Sequence, residues 1–141
     1  MASIVLDFEM PLDADEVWRR VSNYGGADRL APGFVTECRL ENDVRTITFF
    51  NGWQVKEKLV AMDADIRRLA YAVIDGQAKH HNAAMQIFPR IEPDGNGALV
   101  RWTTDVLPDA LAPMVRGMME QGAAAMVAAA EERGQELRRA G

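Results

Sequence analysis

The chain has 141 residues, 16 of them Lys or Arg against 21 Asp or Glu, for a net charge of −5. With no basic cluster, that balance excludes nucleic acid as a partner, because such binding rests on phosphate neutralisation. A single cysteine excludes an internal disulfide, and no run reaches the roughly 18 apolar residues of a membrane span.

The length suits one domain around one core, so residues 1–141 are read as a single unit. No basic segment followed by an apolar run opens the chain. The expectation is a cytoplasmic protein, monomer or homodimer, without integral membrane association.

In chain order, residues 4–10 alternate, with Ile4, Leu6, Phe8 and Met10 on one face, which predicts a strand ended by Pro11. Asp13-Ala14-Asp15-Glu16 then opens a helix with a capping-box-like pattern, and Val17, Trp18, Val21 and Tyr24 form its buried side. Gly25-Gly26 stops it, and residues 27–31 make one further short turn before Pro32-Gly33. Strands are predicted over 34–42, 44–50, 54–62, 67–75 and 82–91, with a turn at Asp94-Gly95-Asn96-Gly97 and a seventh strand over 98–107. From Pro108-Asp109 one long helix runs to about residue 138, with Leu111, Met114, Met118, Met126 and Ala129 along one side and Met119 beside it. A strand, two short helices, six strands and a long helix make an α+β fold, an antiparallel sheet with helices to one side.

The most informative stretch is the hairpin over 44–63, which carries charge where a core should be. Arg45 shares a strand face with Ile47 and Phe49, and Glu57 shares one with Val55 and Leu59. A two-residue Asn51-Gly52 turn would pair Phe50 with Trp53 and set Ile47 opposite Lys56. A three-residue Asn51-Gly52-Trp53 turn pairs Phe49 with Val55 and Ile47 with Glu57, leaving Arg45 diagonal to Glu57. The second keeps both apolar sets together and is the expected register, with Trp53 at the tip over the mouth of a pocket.

Glu57 is the leading site residue. It is either half of a structural ion pair with Arg45, a polar anchor for a ligand, or an acid or base with a raised pKa. Arg45 has the same alternatives and can fork onto a ligand carboxylate or enolate. Tyr71, on a face with Leu69 and Val73, belongs to the core or to a pocket. Ala83, Met85 and Ile87 form the inward set of their strand. Trp102 falls with Val100, Thr104 and Val106 and reads as inward, with Arg101 inward as the alternative. The Met and Ala lining of the last helix reads either as core or as the deformable wall of a pocket, with Met114 and Met118 facing it. His80 and His81 are adjacent on an apparent turn, cannot both face inward and lack further ligands at metal spacing; a polar place at a pocket rim is a lesser alternative for them. Cys38, without an activating base, reads as an apolar filler on a face with Phe34, Thr36 and Leu40. No Ser-His-Asp set, P-loop or dinucleotide loop is present, and no cofactor is expected.

Taken in order, the residues resemble the START-like (SRPBCC, helix-grip) superfamily, in particular its polyketide cyclase/dehydrase and lipid-transport branch. The resemblance rests on Pro11-Leu-Asp-Ala-Asp-Glu-Val-Trp18, Leu30-Ala-Pro-Gly33, Val44-Arg-Thr46, Glu57-Lys-Leu59, Leu69-Ala-Tyr71-Ala-Val-Ile-Asp-Gly76 and the long C-terminal helix. It implies a seven-stranded antiparallel sheet wrapped round that helix, with a cavity between them. The receptor branch carries a cavity glutamate matching Glu57 and an arginine matching Arg45, but a longer gate loop with a Leu-Pro that is absent here. The fold does not by itself decide function. The expected role is binding of a small hydrophobic ligand (lipid, aromatic or polyketide-like) by Arg45, Phe49, Glu57, Tyr71, Ala83, Met85, Trp102, Met114 and Met118. The alternatives are a cyclase/dehydratase-like enzyme and a protein-interaction domain without ligand.

Overall fold

The computed structural model describes residues 1–92 and 95–140. Its elements are β1 (Ala2–Met10), α1 (Ala14–Ser22), α2 (Ala27–Leu30), β2 (Val35–Glu41), β3 (Val44–Phe49), β4 (Gln54–Asp63), β5 (Arg68–Val73), β6 (His80–Glu92), β7 (Gly95–Leu107) and, after a short 3-10 turn, α3 (Ala112–Ala140). The strands form one seven-stranded antiparallel sheet in the order β1-β7-β6-β5-β4-β3-β2. This is the α+β helix-grip arrangement expected. Among the described residues no helix is long and apolar enough to cross a membrane.

The first helix starts where its cap predicts: the Asp13 carboxylate accepts the Glu16 N–H at 2.8 Å, satisfying one orphan donor of the first turn. It buries Ala14, Val17 and Val21 against the sheet and ends at Ser22, so Tyr24 is buried beyond the helix rather than on its flank. Bulges lie between Val35 and Glu37 in β2 and between Leu59 and Ala61 in β4. Such bulges bend and twist a strand, which curves the sheet around α3. The bulge in β2 also changes which residues face inward. Val35, not Thr36, is buried ahead of the half-buried Cys38; Leu40 keeps the face of Cys38, in register with Arg45, but is exposed.

Three details differ from the sequence expectation. The first is the hairpin, which turns in three residues, but they are Phe50, Asn51 and Gly52. Phe49 N–H donates to Trp53 O at 2.8 Å and Gly52 N–H to Phe49 O at 2.9 Å. Gly52 has φ +86°, the left-handed residue that closes a type I turn in such loops. The faces are as expected, but the ladder slides so that Arg45 pairs directly with Glu57 and Ile47 with Val55.

Second, residues 95–97, expected in a turn, continue β7. The β6–β7 ladder runs unbroken through Arg90↔Gly97 and Ile91↔Asn96, because the register set by Ile87↔Val100 carries on past the polar residues. Asp94 of that expected turn lies outside the described residues.

Third, the inward face of α3 is Val115, Met119, Gly122, Ala123, Met126, Ala130 and Gly134, which keeps Met126 of the predicted stripe but replaces Met114, Met118 and Ala129 by the residues one position on. An alanine-rich helix has little hydrophobic pattern to orient it, so close approach decides. A Cβ at Gly122 would stand 3.1 Å from the Phe34 ring and 3.3 Å from the Trp102 ring. Met126 is buried, Met118 half-buried, and Met114 is left 42% exposed.

The loop geometry makes a prediction. Gly52→Ala forces a side chain into the left-handed region and should cost about 1–2 kcal/mol, read as a lower urea midpoint with an unchanged m-value.

Candidate functional site

Between the concave sheet face and α3 lie two adjoining cavities, an inner one of about 120 Å³ and an outer one of about 360 Å³. Phe49, Glu57, His81 and Met118 line both. The outer cavity lies among the β3–β4 hairpin (Trp53, Val55), the β5–β6 connection (Asp75 to Ala78) and the start of α3 (Leu111, Met114). The inner one is walled by α2, Phe34, Ile47, Met85, Trp102, Gly122 and Met126 and holds Arg45 and Tyr71.

The charged centre is the paired residues of β3 and β4. Arg45 and Glu57 are 7% and 6% exposed, and Arg45 Nε and Nη2 both contact Glu57 Oε1, at 2.9 and 2.8 Å. Arg45 Nη1 donates to the Tyr24 carbonyl at 3.3 Å, while Tyr24 OH donates to the Glu57 carbonyl at 2.8 Å. The guanidinium also lies 4.0 Å from the Tyr24 ring centroid and 5.1 Å from that of Tyr71, so two aromatic rings flank the cation. Each guanidinium nitrogen therefore already has an oxygen partner, an arrangement that serves the ion pair rather than a ligand carboxylate.

Burial holds the Glu57 carboxyl above the usual carboxylate range, and Arg45 pulls back against it. Burial opposes the charge of Arg45 too, but Glu57 and the two tyrosines more than offset it and keep it a cation. Both contacts fall on Oε1. Glu57 Oε2 has no hydrogen-bond partner among the described residues. Burial raises the pKa of Tyr71 far above that of a free phenol, so it stays protonated. Its oxygen accepts from Trp102 Nε1 at 3.3 Å, and its own proton has no acceptor among the described residues. His81 turns toward the cavities while His80 is exposed, and burial, then the nearby His80, lowers the pKa of His81.

Of the sequence candidates, Arg45, Phe49, Glu57, Tyr71, Met85, Trp102 and Met118 come together around the inner cavity. Met114 sits on the outer cavity only. Ala83 is buried at 2% exposure, but in the packed core beside the cavities, on the wall of neither. Trp102, not Arg101, faces inward; Arg101 is exposed and pairs with Asp7 at 2.9 Å. Tyr24 as the clamp on the ion pair, and Gly122 as part of the floor, were not anticipated. An isolated glycine in an alanine-rich helix was the available signal for a close approach. Among the described residues no group of three or more His, Cys, Asp or Glu is placed to hold a metal ion.

A family model described as "Polyketide cyclase / dehydrase and lipid transport" matches residues 1–131. No curated protein sequence matches the chain. Among solved structures, the protein XoxI from Bacillus cereus is similar at 18% identity, covering 92% of this chain and 95% of that one, with a TM-score of 0.82. A protein from Thermobifida fusca follows at 23% identity, with 96% and 95% covered and a TM-score of 0.73. Norcoclaurine synthase from Thalictrum flavum, in complex with dopamine and hydroxybenzaldehyde, matches at 20% identity over 96% of this chain and 87% of its own, TM-score 0.69. At these identities the likeness is one of fold.

Removing one member of the ion pair strands a buried charge. Arg45→Met alone should cost about 3–5 kcal/mol, and combining it with Glu57→Leu should recover much of that loss; additive losses in the double-mutant cycle would show no coupling. His81 gives a pH signature. Its folded pKa lies below the unfolded value, so its contribution is complete above about 6.5 and is lost as pH falls through the folded value. His81→Asn should therefore lose less stability than the parent in urea titrations compared at pH 7 and pH 5, while the lowered carboxylates Asp7, Glu16 and Asp105 act equally in both proteins.

Proposed function

The chain belongs to the polyketide cyclase/dehydrase and lipid-transport family, and from that premise we propose that it binds a small, mainly apolar molecule between the sheet and α3. The observation that carries this reading is an unfilled interior built around a buried charge pair. Protein interiors close to crystal-like density unless space is kept open, and a void costs stability. Here the outer cavity, about 360 Å³, falls in the roughly 300–1,000 Å³ range of ligand pockets, and a few placed polar groups among apolar walls are what such pockets use. Met118 and Met114 supply a wall that can repack around varied ligands, thioether side chains being flexible and polarizable. Trp53 and Met114, both partly exposed at the outer cavity, mark where a ligand would enter.

A second reading is catalysis of an aldol closure or dehydration. Glu57 and Tyr71 favour it, since one offers an unengaged carboxylate oxygen and the other a proton to the same inner cavity. Arg45 favours it less, because its nitrogens already hold Glu57 and Tyr24.

A thermal-shift screen of fatty acids, flat aromatics and phenols tests the binding reading. A ligand that binds only the folded state adds about 2.7 kcal/mol at a hundredfold excess over Kd, a rise of several degrees in Tm. Met118→Trp, which fills the junction of the cavities, should erase the shift and leave the circular dichroism spectrum unchanged. Shifts that survive it would place the ligand elsewhere.

A further inference from the structure

We infer that the ligand meets the inner cavity with an uncharged hydroxyl, which donates to Glu57 Oε2 and accepts from Tyr71 OH, and that carboxylates are rejected there. This inference rests on the binding reading above and names the ligand's polar group.

The argument is one of unspent hydrogen bonds. Glu57 is 6% exposed, and Arg45 approaches it through Oε1 alone, at 2.9 and 2.8 Å. A symmetric fork would have used both carboxylate oxygens; this one leaves Oε2 with acceptor capacity inside an apolar chamber. Oε2 is not sealed into the core but faces the open space of the chamber, where low dielectric strengthens a hydrogen bond, so a ligand that supplies a donor gains more there than it would at the protein surface. Tyr71 is 5% exposed and complements it: Trp102 Nε1 donates to its oxygen at 3.3 Å, which leaves the phenolic proton to give. One unspent acceptor and one unspent donor on the same cavity call for a group that is both donor and acceptor, and a hydroxyl is the smallest.

Charge decides against an acid. Of the side chains charged at neutral pH that line the two cavities, Arg45 is balanced by Glu57, and Asp75 is left over on the outer wall. No second cation is present on either lining to receive a carboxylate, and the guanidinium faces are flanked by the Tyr24 and Tyr71 rings. A ligand carboxylate would sit beside Glu57 in a medium of low dielectric, where like charges repel strongly. An ammonium satisfies Glu57 but cannot accept from Tyr71, and it brings a second cation beside Arg45.

The test is calorimetric titration of the full chain at neutral pH with four probes that share one ring system: β-naphthol, its methyl ether, β-naphthoate and β-naphthylmethylamine. The expected result is β-naphthol binding about tenfold or more tighter than each of the others, the scale of a hydrogen bond to a charged group. The ether, the naphthoate or the amine binding as tightly as β-naphthol overturns the hydroxyl inference while leaving the binding reading in place. No binding by any probe, with no hit in the thermal-shift screen, overturns both. Two variants assign the groups. Glu57→Gln should narrow the gap between β-naphthol and β-naphthoate, and an unchanged ratio in the folded variant would remove Glu57 from the contact. Tyr71→Phe, which keeps the ring over Arg45, should weaken β-naphthol and its ether together by several-fold, and unchanged affinities would remove Tyr71.

Discussion

A guanidinium and a carboxylate in a dry interior cannot be left apart, and much of this fold is arranged around that constraint. The desolvation of each ion is compensated only when geometry and additional hydrogen bonds are good. Direct pairing of Arg45 with Glu57 across β3 and β4 supplies the geometry. Tyr24 supplies the additional bonds, accepting from the arginine and donating to the glutamate's backbone. The three-residue turn at Phe50–Gly52 is what sets this register; sliding one strand by a single residue would put Arg45 opposite a lysine and leave the two charges on opposite faces of the sheet. The short segment between α1 and α2 is tied in through the same tyrosine, so three separate parts of the chain meet at one ion pair.

The open space follows from how α3 approaches the sheet. Along its inward face Gly122, Ala123, Ala130 and Gly134 alternate with methionines. At the small residues the helix comes close, with Phe34 and Trp102 against Gly122. Toward its N-terminal end, where Met114 and Met118 stand, the helix leaves room between itself and the β3–β4 hairpin. Curvature from the bulges in β2 and β4 keeps that room from closing.

Much of this was legible in the residues. Strict alternation in β1 and around the hairpin, the Asp13 cap and the long helical run were enough for element order and fold class, and the charges on apolar faces pointed to Arg45 and Glu57. What escaped has physical reasons. Register depends on which three residues bend, and Asn51-Gly52 is compatible with more than one loop; only the position of Gly52 in the left-handed region decides it. The rotation of α3 depends on close approach, which an alanine-rich sequence does not encode as a hydrophobic stripe. Ala83 reads as cavity wall from alternation, which gives the face but not the depth; it packs in the core cluster and lines neither cavity. Tyr24 lay past the helix end, where helical spacing no longer says where a side chain points.

The chamber has two kinds of wall. At Gly122 the floor is main chain, held by the hydrogen-bonded helix and braced by two aromatic rings. Backbone in mid-helix has no rotamer to change, so the deep end is a fixed mould. The methionines at the other end behave like a soft seal, each with three rotatable bonds. A ligand bound as proposed would press its head against the mould and its tail against material that gives. Selectivity in such a vessel would be graded along its length, strict at the bottom and permissive at the rim.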